Sequence, residues 1–311
     1  ILITGGAGFL GKKLLSELYA DNELIIYSRD EAKHYQLKSI YPKATFIVGD
    51  IRNRDLLARV SRGVDFGIFA ASLKQISACD ENPEEAVQTI ILGAINSKYA
   101  AIENKFEAAA FVSSDKSRAA TTIYGSLKFA AGEQFIIKNA YESNSQTRLS
   151  TVIYGNVLNS TGSIIPLIWT SIARDKTLTL FSREMTRFII DVNEATGLIY
   201  HGLLTDGASV IPKAVSARVS DIFEIYSEEF GLKFLEGVPR LGEKLHEVLA
   251  SKEEINRMNI SECGNYYMLR PVNSKSINKG PIGLDPNNDY SSDQYIISKE
   301  KLYILLKKFN F

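Results

Sequence analysis

The sequence predicts an α/β fold: a doubly wound parallel sheet joined to a smaller C-terminal α/β domain. Three observations predict it. Through the first half, short runs rich in Ile, Val and Phe alternate with helical stretches, the pattern of strands buried on both faces between crossover helices. A glycine-rich turn follows the first run and opens the first helical stretch, which is the arrangement of a dinucleotide-binding βα unit. With 311 residues, 45% of them apolar, the chain can bury one large core, or a nucleotide-binding core with a smaller companion.

The expected strands are 1–4, 23–27, 44–48, 65–70, 108–112 and 149–154. Between them lie expected helices at 9–19, 30–40, 54–61, 83–104 and 124–141. Ile1 falls inside a strand pattern, so residues are expected to precede it. After Asn156 the alternation loosens. Helices are expected at 163–174, at 191–204 behind an Asp cap, at 220–230 and at 243–248, with a short strand at 178–180. The stretch 273–293 is rich in Asn, Ser, Gly and Pro and reads as a long mobile loop; an amphipathic helix at 298–309 closes the chain. The expected division is a Rossmann-type cofactor domain over 1–157 with a return segment at 189–220, and a substrate domain over 158–188 and 221–311.

Lys plus Arg and Asp plus Glu both number 36, so the formal net charge is zero. Without basic blocks there is no case for nucleic acid or an anionic membrane surface. Cys79 and Cys263 stand far apart, with neither a CxxC pair nor a disulfide framework, which fits a reducing cytoplasm. His34, His201 and His246 lack metal-ligand spacing, so no metal site is expected. No apolar run reaches membrane-spanning length and no signal peptide is visible.

Gly5, Gly8 and Gly11 frame the turn, with Phe9 and Leu10 opening the helix. Missing Cβ atoms let the backbone approach a pyrophosphate, and the helix N-terminus offers free N–H groups. At the end of the second strand, Ser28 stands where an NAD-selective site usually has an acid, and Arg29 follows. An Arg fork suits the 2′-phosphate of NADP. Asp30 as a ribose-binding acid, or Arg29 as a solvated charge, are the alternatives. Asp50 and Ile51 after the third strand are expected at the adenine, and Ala70 and Ala71 after the fourth along the cofactor; plain strand ends are the competing reading.

Tyr124 and Lys128 form a YxxxK pair one helical turn apart, on one face. The Lys charge lowers the phenol pKa, so that Tyr can accept a proton as hydride leaves. Ser114 ends the preceding strand and supplies a hydroxyl to orient the substrate oxygen. Asp115 and Lys116 follow at the C-terminal mouth of that strand, which faces the ligand crevice. They are the acid and base types that dehydration beside a 4-ketone needs, with Lys116 expected to have its pKa lowered by burial or by Lys128. An exposed ion pair is the structural alternative.

These motifs resemble the inverting UDP-N-acetylglucosamine 4,6-dehydratases, within the extended short-chain dehydrogenase/reductases. The resemblance runs nearly end to end. It covers the glycine loop, SRDE at 28–31, GDIRN at 49–53, AASLKQI at 70–76, NPEEA at 82–86 and SSDK at 113–116, close before Tyr124. It continues through YGNV at 154–157, GSIIP at 162–166, EMTRF at 184–188, GEKLHE at 242–247 and YSSD at 290–293. It implies NADP as cofactor, recycled internally, and a UDP-sugar substrate for surface-glycan or nonulosonic acid synthesis. A homo-oligomer, dimer or hexamer, is implied too. Tyr154, Asn156 and Val157 would meet the nicotinamide. Asn156, Ser163, Lys74 and Gln75 would face the substrate, with Arg187 and Lys244 at the diphosphate. Three departures stand out: Ile90 replaces the family's usual Asn, Ile153 replaces its usual Arg, and no Asn-Pro lies between Lys116 and Tyr124. A nucleotide-sugar 4- or C5-epimerase would share the 4-ketone without needing the Asp115–Lys116 pair. A non-enzymatic NADP sensor would have no use for Tyr124 and Lys128.

Overall fold

The computed structural model describes residues 1–239, 242–272 and 280–308. The first part alternates β1 (Leu2–Thr4), α1 (Phe9–Leu18), β2 (Ile25–Ser28), α2 (Glu31–Ile40), β3 (Thr45–Val48), α3 (Arg54–Val60) and β4 (Phe66–Phe69). Then come α4 (Ile76–Glu81), α5 (Pro83–Val87), α6 (Gly93–Glu103), β5 (Ala108–Val112), α7 (Ile123–Ile136), β6 (Arg148–Val152) and β7 (Asn156–Val157). The second part holds α8 (Ile164–Ala173), β8 (Leu178–Leu180), β9 (Thr186–Ile190), α9 (Val192–Leu203), β10 (Ala208–Pro212), β11 (Val215–Arg218) and α10 (Val219–Phe230). It ends with β12 (Phe234–Glu236), β13 (Val248–Ala250), α11 (Lys252–Ile255), β14 (Met258–Ile260), β15 (Tyr266–Leu269), β16 (Tyr290–Ser291) and α12 (Lys299–Lys307).

A nine-stranded sheet runs in the order β14-β15-β10-β6-β5-β4-β1-β2-β3. Every pairing from β3 to β10 is parallel; β15 and β14 add antiparallel at one edge. The chain reverses direction through the sheet between β1 and β4, and ligands bind at the carboxyl ends of strands beside such a reversal. β5 is buried along its whole length and carries Ala at 108, 109 and 110; small side chains let helices close on both faces of the sheet. One apolar layer, with Phe69, Phe111 and Phe135, lies on the α6 and α7 side, and another, with Leu14, Ile26 and Ile199, on the α1 and α9 side. A third cluster joins α8, α10 and α12.

Side chains start the helices as the sequence leads one to expect. Asp30, Asn53, Thr122 and Asp191 accept from the first-turn N–H groups of α2, α3, α7 and α9, each satisfying a donor with no intrahelical partner. Three expectations are corrected. The single helix over 83–104 is interrupted by a π-turn at Gln88–Leu92. The helix from 124 stops at Ile136, where Ile137 turns extended. Residues 243–248 are not helical: Leu245 O accepts from Thr186 N and Glu247 O from Ser292 N, so the segment is laced to neighbouring strands. Of the loop expected at 273–293, residues 273–279 lie outside the described residues, and 290–291 form β16, paired with β13.

Candidate active site

A cavity of about 1240 Å³ opens along the carboxyl ends of the parallel strands. The β1–α1 turn forms one end. Gly5 has φ +69°, and a Cβ there would sit 3.0 Å from the backbone of Ala70 and Ala71. A Cβ on Gly11 would lie 2.4 Å from Gly6 Cα. The turn therefore packs flat under β4, and α1 begins at Gly8 with no side-chain cap, leaving N–H groups for an anionic ligand. Gly5, Gly8, Phe9, Leu10 and Gly11 all line the cavity, as do Ala70 and Ala71. This cradle, which side chains would fill, fits a dinucleotide pyrophosphate.

Ser28, Arg29, Asp50 and Ile51 line the same end. The Ser28 hydroxyl is held by His34 Nε2 at 2.7 Å. Asp30 is committed to α2, accepting from Lys33 N at 3.0 Å and Lys33 Nζ at 2.5 Å. Asp50 is taken up by Arg52, at 2.6 Å, with Arg29 at 3.8 Å. Asp30 and Asp50 thus each carry a cationic partner, while Arg29 is half exposed and Lys33 lines the cavity beside it. Lys33 was not anticipated; its one-turn spacing from the cap Asp30 was the available signal.

At the other end β5 delivers Ser114, Asp115 and Lys116, and the first turns of α7 deliver Tyr124 and Lys128. Ser114 Oγ donates to Asp115 Oδ1 at 2.8 Å, and Lys116 Nζ donates to the same oxygen at 3.2 Å. Asp115 is completely enclosed. Ser114, Lys116, Tyr124 and Lys128 line the cavity, and Asp115 sits behind them. Burial pushes the Asp115 carboxyl up, Lys116 opposing it. Burial pushes Tyr124 up to about 12, against the pull of Lys116, and raises Tyr154 as well. Lys128 is lowered to about 8 by burial; its Nζ donates to Val112 O at 2.9 Å.

The expected lowering of Lys116 is corrected. Burial acts in that direction, but Asp115 and Glu247 together outweigh it and hold the ammonium well above the usual lysine range. Lys116 Nζ lies 3.2 Å from a carboxylate oxygen of each. Glu247 is the residue that sequence reasoning missed. It is buried among Lys116, Arg187 and Lys244, at 3.2, 3.9 and 3.3 Å, and these three cations keep it ionised despite its burial. Its position three residues after Lys244 was legible, but not its partners on two other segments.

The expected substrate residues all line the cavity: Lys74, Gln75, Asn156, Ser163, Arg187 and Lys244, along with Tyr154 and Val157. Asn156 Oδ1 and Ser163 Oγ are buried without a protein partner, and so is Thr89 Oγ1, another lining group that was not anticipated. Lys74 Nζ donates to Thr161 O at 2.5 Å. No carboxylate pairs with it among the described residues, whereas Arg187 is matched by Glu243 at 3.1 Å. Ile90 and Ile153 are core residues, 1% and 0% exposed. No group of His, Cys, Asp or Glu able to hold a metal is found among the described residues.

The model of the polysaccharide biosynthesis protein family matches residues 1–270. The chain belongs to that family. It is 34% identical over 279 residues to the inverting UDP-N-acetylglucosamine 4,6-dehydratase of Campylobacter jejuni, covering 87% of this chain and 82% of the relative. It is also 31% identical over 326 residues to a UDP-glucose 4-epimerase of Rickettsia felis, covering 100% of this chain and 90% of that one. Among solved structures, Pen from Bacillus thuringiensis superposes with a TM-score of 0.88 at 30% identity, over 99% of this chain and 96% of that one. The dTDP-glucose 4,6-dehydratase DesIV of Streptomyces venezuelae, at 20% identity and a TM-score of 0.67, shares the fold.

Proposed function

We propose that this chain is an NADP-dependent UDP-N-acetylglucosamine 4,6-dehydratase that inverts C5, a hydro-lyase that recycles its cofactor. The carrying observation is the cluster Tyr124, Ser114, Asp115, Lys116 and Glu247 at the mouth of β5 and α7. Tyr124, Lys128 and Ser114 suffice for a 4-ketone. The acid–amine pair 3.2 Å apart at the same place adds what elimination requires and an epimerase does not need. A relative 34% identical to this chain carries the dehydratase name, which supports the reading.

In this account Gly5, Gly8 and Gly11 hold the pyrophosphate, Ser28, Arg29 and Lys33 the 2′-phosphate, and Asp50 and Ile51 the adenine end. Residues 1–157 with 189–220 form the cofactor domain, and 158–188 with 221–311 the substrate domain. When bound there, the nicotinamide would supply reversible hydride transfer with the sugar. Tyr124 takes the 4-hydroxyl proton, with Lys128 and the Ser114 hydroxyl stabilising the developing charge. The ketone acidifies C5–H, and Lys116, in its amine form, removes that proton. Because Asp115 is enclosed, its proton reaches the departing 6-hydroxyl by way of Lys116, which faces the cavity. A buried ion pair and its neutral tautomer differ by one proton shift from Lys116 to Asp115; burial favours the neutral form, and the carboxylate of Glu247 opposes it. That tautomer is acid and base together. Lys74, Arg187 and Lys244 meet the diphosphate, and Asn156, Ser163 and Thr89 offer unpaired polar atoms to the sugar or the nicotinamide.

The free thiols Cys79 and Cys263 suit the cytoplasm we propose for it, and a homo-oligomer is the proposed assembly. Product mass after incubation with UDP-N-acetylglucosamine tests the function. The reading requires loss of one water; an unchanged mass with a new C4 epimer would transfer the chain to the epimerases.

A further inference from the structure

Behind the Ser28 end of the cavity lies a buried histidine that no step described so far employs. His34 projects from the inner row of α2, where it and Leu37 are the buried positions. It is 4% exposed and its ring lies against Phe46, 5.4 Å between centroids. An apolar side chain would fill such a place without burying a polar group. The imidazole instead sets Nε2 2.7 Å from Ser28 Oγ. Ser28 lines the cavity and His34 does not, so His34 stands one hydrogen bond removed from any ligand there.

The direction of that bond decides what Ser28 can offer. Nδ1 of His34 is buried without a partner. Were the ring proton on Nδ1, an N–H donor would be buried unmet, which folded proteins rarely leave; an unmet acceptor is tolerated more often. A doubly protonated ring would bury the same unmet donor. Burial lowers the His34 pKa, with the Asp30 carboxylate opposing. The ring is therefore neutral with its proton on Nε2, and it donates to Ser28 Oγ. Among the described residues His34 is the one hydrogen-bond partner of that hydroxyl. The hydrogen of Ser28 is left for the cavity.

We propose that His34 is a positioning residue for cofactor selection: by donating to Ser28 it makes that hydroxyl a fixed donor for the 2′-phosphate of NADP. This rests on the NADP-dependent reading above. A phosphate oxygen accepts and carries charge, so the bond it takes is about twice as strong as a neutral one. The 2′-hydroxyl of NAD takes a neutral bond at most. The acids to which it would ordinarily donate already carry cationic partners, Asp30 with Lys33 and Asp50 with Arg52. Arg29 and Lys33 supply attraction but less direction, since Arg29 is half exposed and Lys33 is shared with Asp30. A hydroxyl held in advance needs no reordering when the phosphate arrives. Without the His34 donor it turns freely.

The test is calorimetric titration with NADP and with NAD, giving the ratio of the two dissociation constants for each form. His34→Leu is expected to weaken NADP roughly tenfold, the scale of one charge-assisted bond, and to leave NAD within about twofold. His34→Gln, whose amide nitrogen stands near the place of Nε2, keeps the native ratio, whereas His34→Asn, whose nitrogen stands near Nδ1, loses it. The Gln and Asn pair carries the test if the leucine variant does not fold. In a Ser28→Ala background, His34→Leu should change NADP affinity by no more than about twofold, because the bond it would aim is already gone. Equal weakening of NADP and NAD by His34→Leu would overturn the proposal, as would a tenfold effect that persists without the Ser28 hydroxyl, or equal losses in the Gln and Asn variants. A native chain that binds NAD as tightly as NADP would overturn the NADP reading itself, and that is read before any variant is made.

Discussion

Replacing Glu247 by Gln removes one of the two carboxylates that hold Lys116 as an ammonium, while keeping the size of the side chain. The pair is 3.2 Å apart and Glu247 is buried, with a quarter of the Lys116 side chain exposed. At an effective dielectric constant of about 20, two unit charges at that distance interact by roughly 5 kcal/mol, an upper bound. Solvent on Lys116 reduces this to a pKa drop of about 1–3 units, the usual effect of one close opposite charge. The sign follows from the base that is needed. Lys116 works as the amine, so exchange of C5–H in D₂O rises with pH along an acidic limb. Lowering its pKa moves that limb to lower pH, and at a fixed pH on the limb exchange speeds up by roughly tenfold per unit. Arg187 and Lys244 lose the same partner and become freer to meet a diphosphate, so KM falls as well. The assay is the pH profile of C5 deuteration, followed by NMR. A limb that stays in place, or moves to higher pH, would refute Lys116 as the base.

Tyr124→Phe should retain the cofactor and lose C4 oxidation by a factor on the order of 10²–10⁴; near-native turnover measured by product mass would assign that proton to another group. Arg29→Ala should weaken NADP by roughly 1–3 kcal/mol and leave NAD almost unchanged; a titration with equal losses for both would remove Arg29 from the 2′-phosphate site. Lys128→Met should kill oxidation yet stabilise the fold at pH 7 by roughly 1–3 kcal/mol. The sign comes from a lysine lowered from 10.5 to about 8 by burial: between those values the unfolded chain binds the proton and the folded one does not, so native stability rises with pH through that window. The advantage of Lys128→Met in thermal unfolding should therefore shrink between pH 7 and 10; a gap that widens would contradict the buried ammonium.

The parallel core was legible because its information is local. Each strand of β1 to β6 is an apolar run bounded by turn residues, and α2, α3 and α7 carry their own side-chain caps. The second half was less legible because its short strands depend on partners far away. β9, β11 and β15 have four or five residues' worth of pattern, and what makes them strands is pairing across the chain. The error at 243–248 has the same origin: its alternation of charge and Leu suits a helix, but backbone bonds to Thr186 and Ser292 tie it to other segments. The site divides likewise. Gly5 to Gly11, Ser114, Tyr124 and Lys128 announce themselves by spacing. Glu247 and the raised pKa of Lys116 do not, since they arise where β5, β9 and the segment after Gly242 converge. The direction of the Lys116 shift was misread for this reason: burial is inferable from a strand end, but the second carboxylate is not.

The most direct test of the account is incubation with UDP-N-acetylglucosamine and NADP in D₂O, without added reductant, with the product read by mass and NMR. The account predicts loss of one water, one deuterium at an inverted C5, a 4-ketone, and no accumulation of reduced cofactor. A product of unchanged mass, epimeric at C4 and without deuterium at C5, would contradict it.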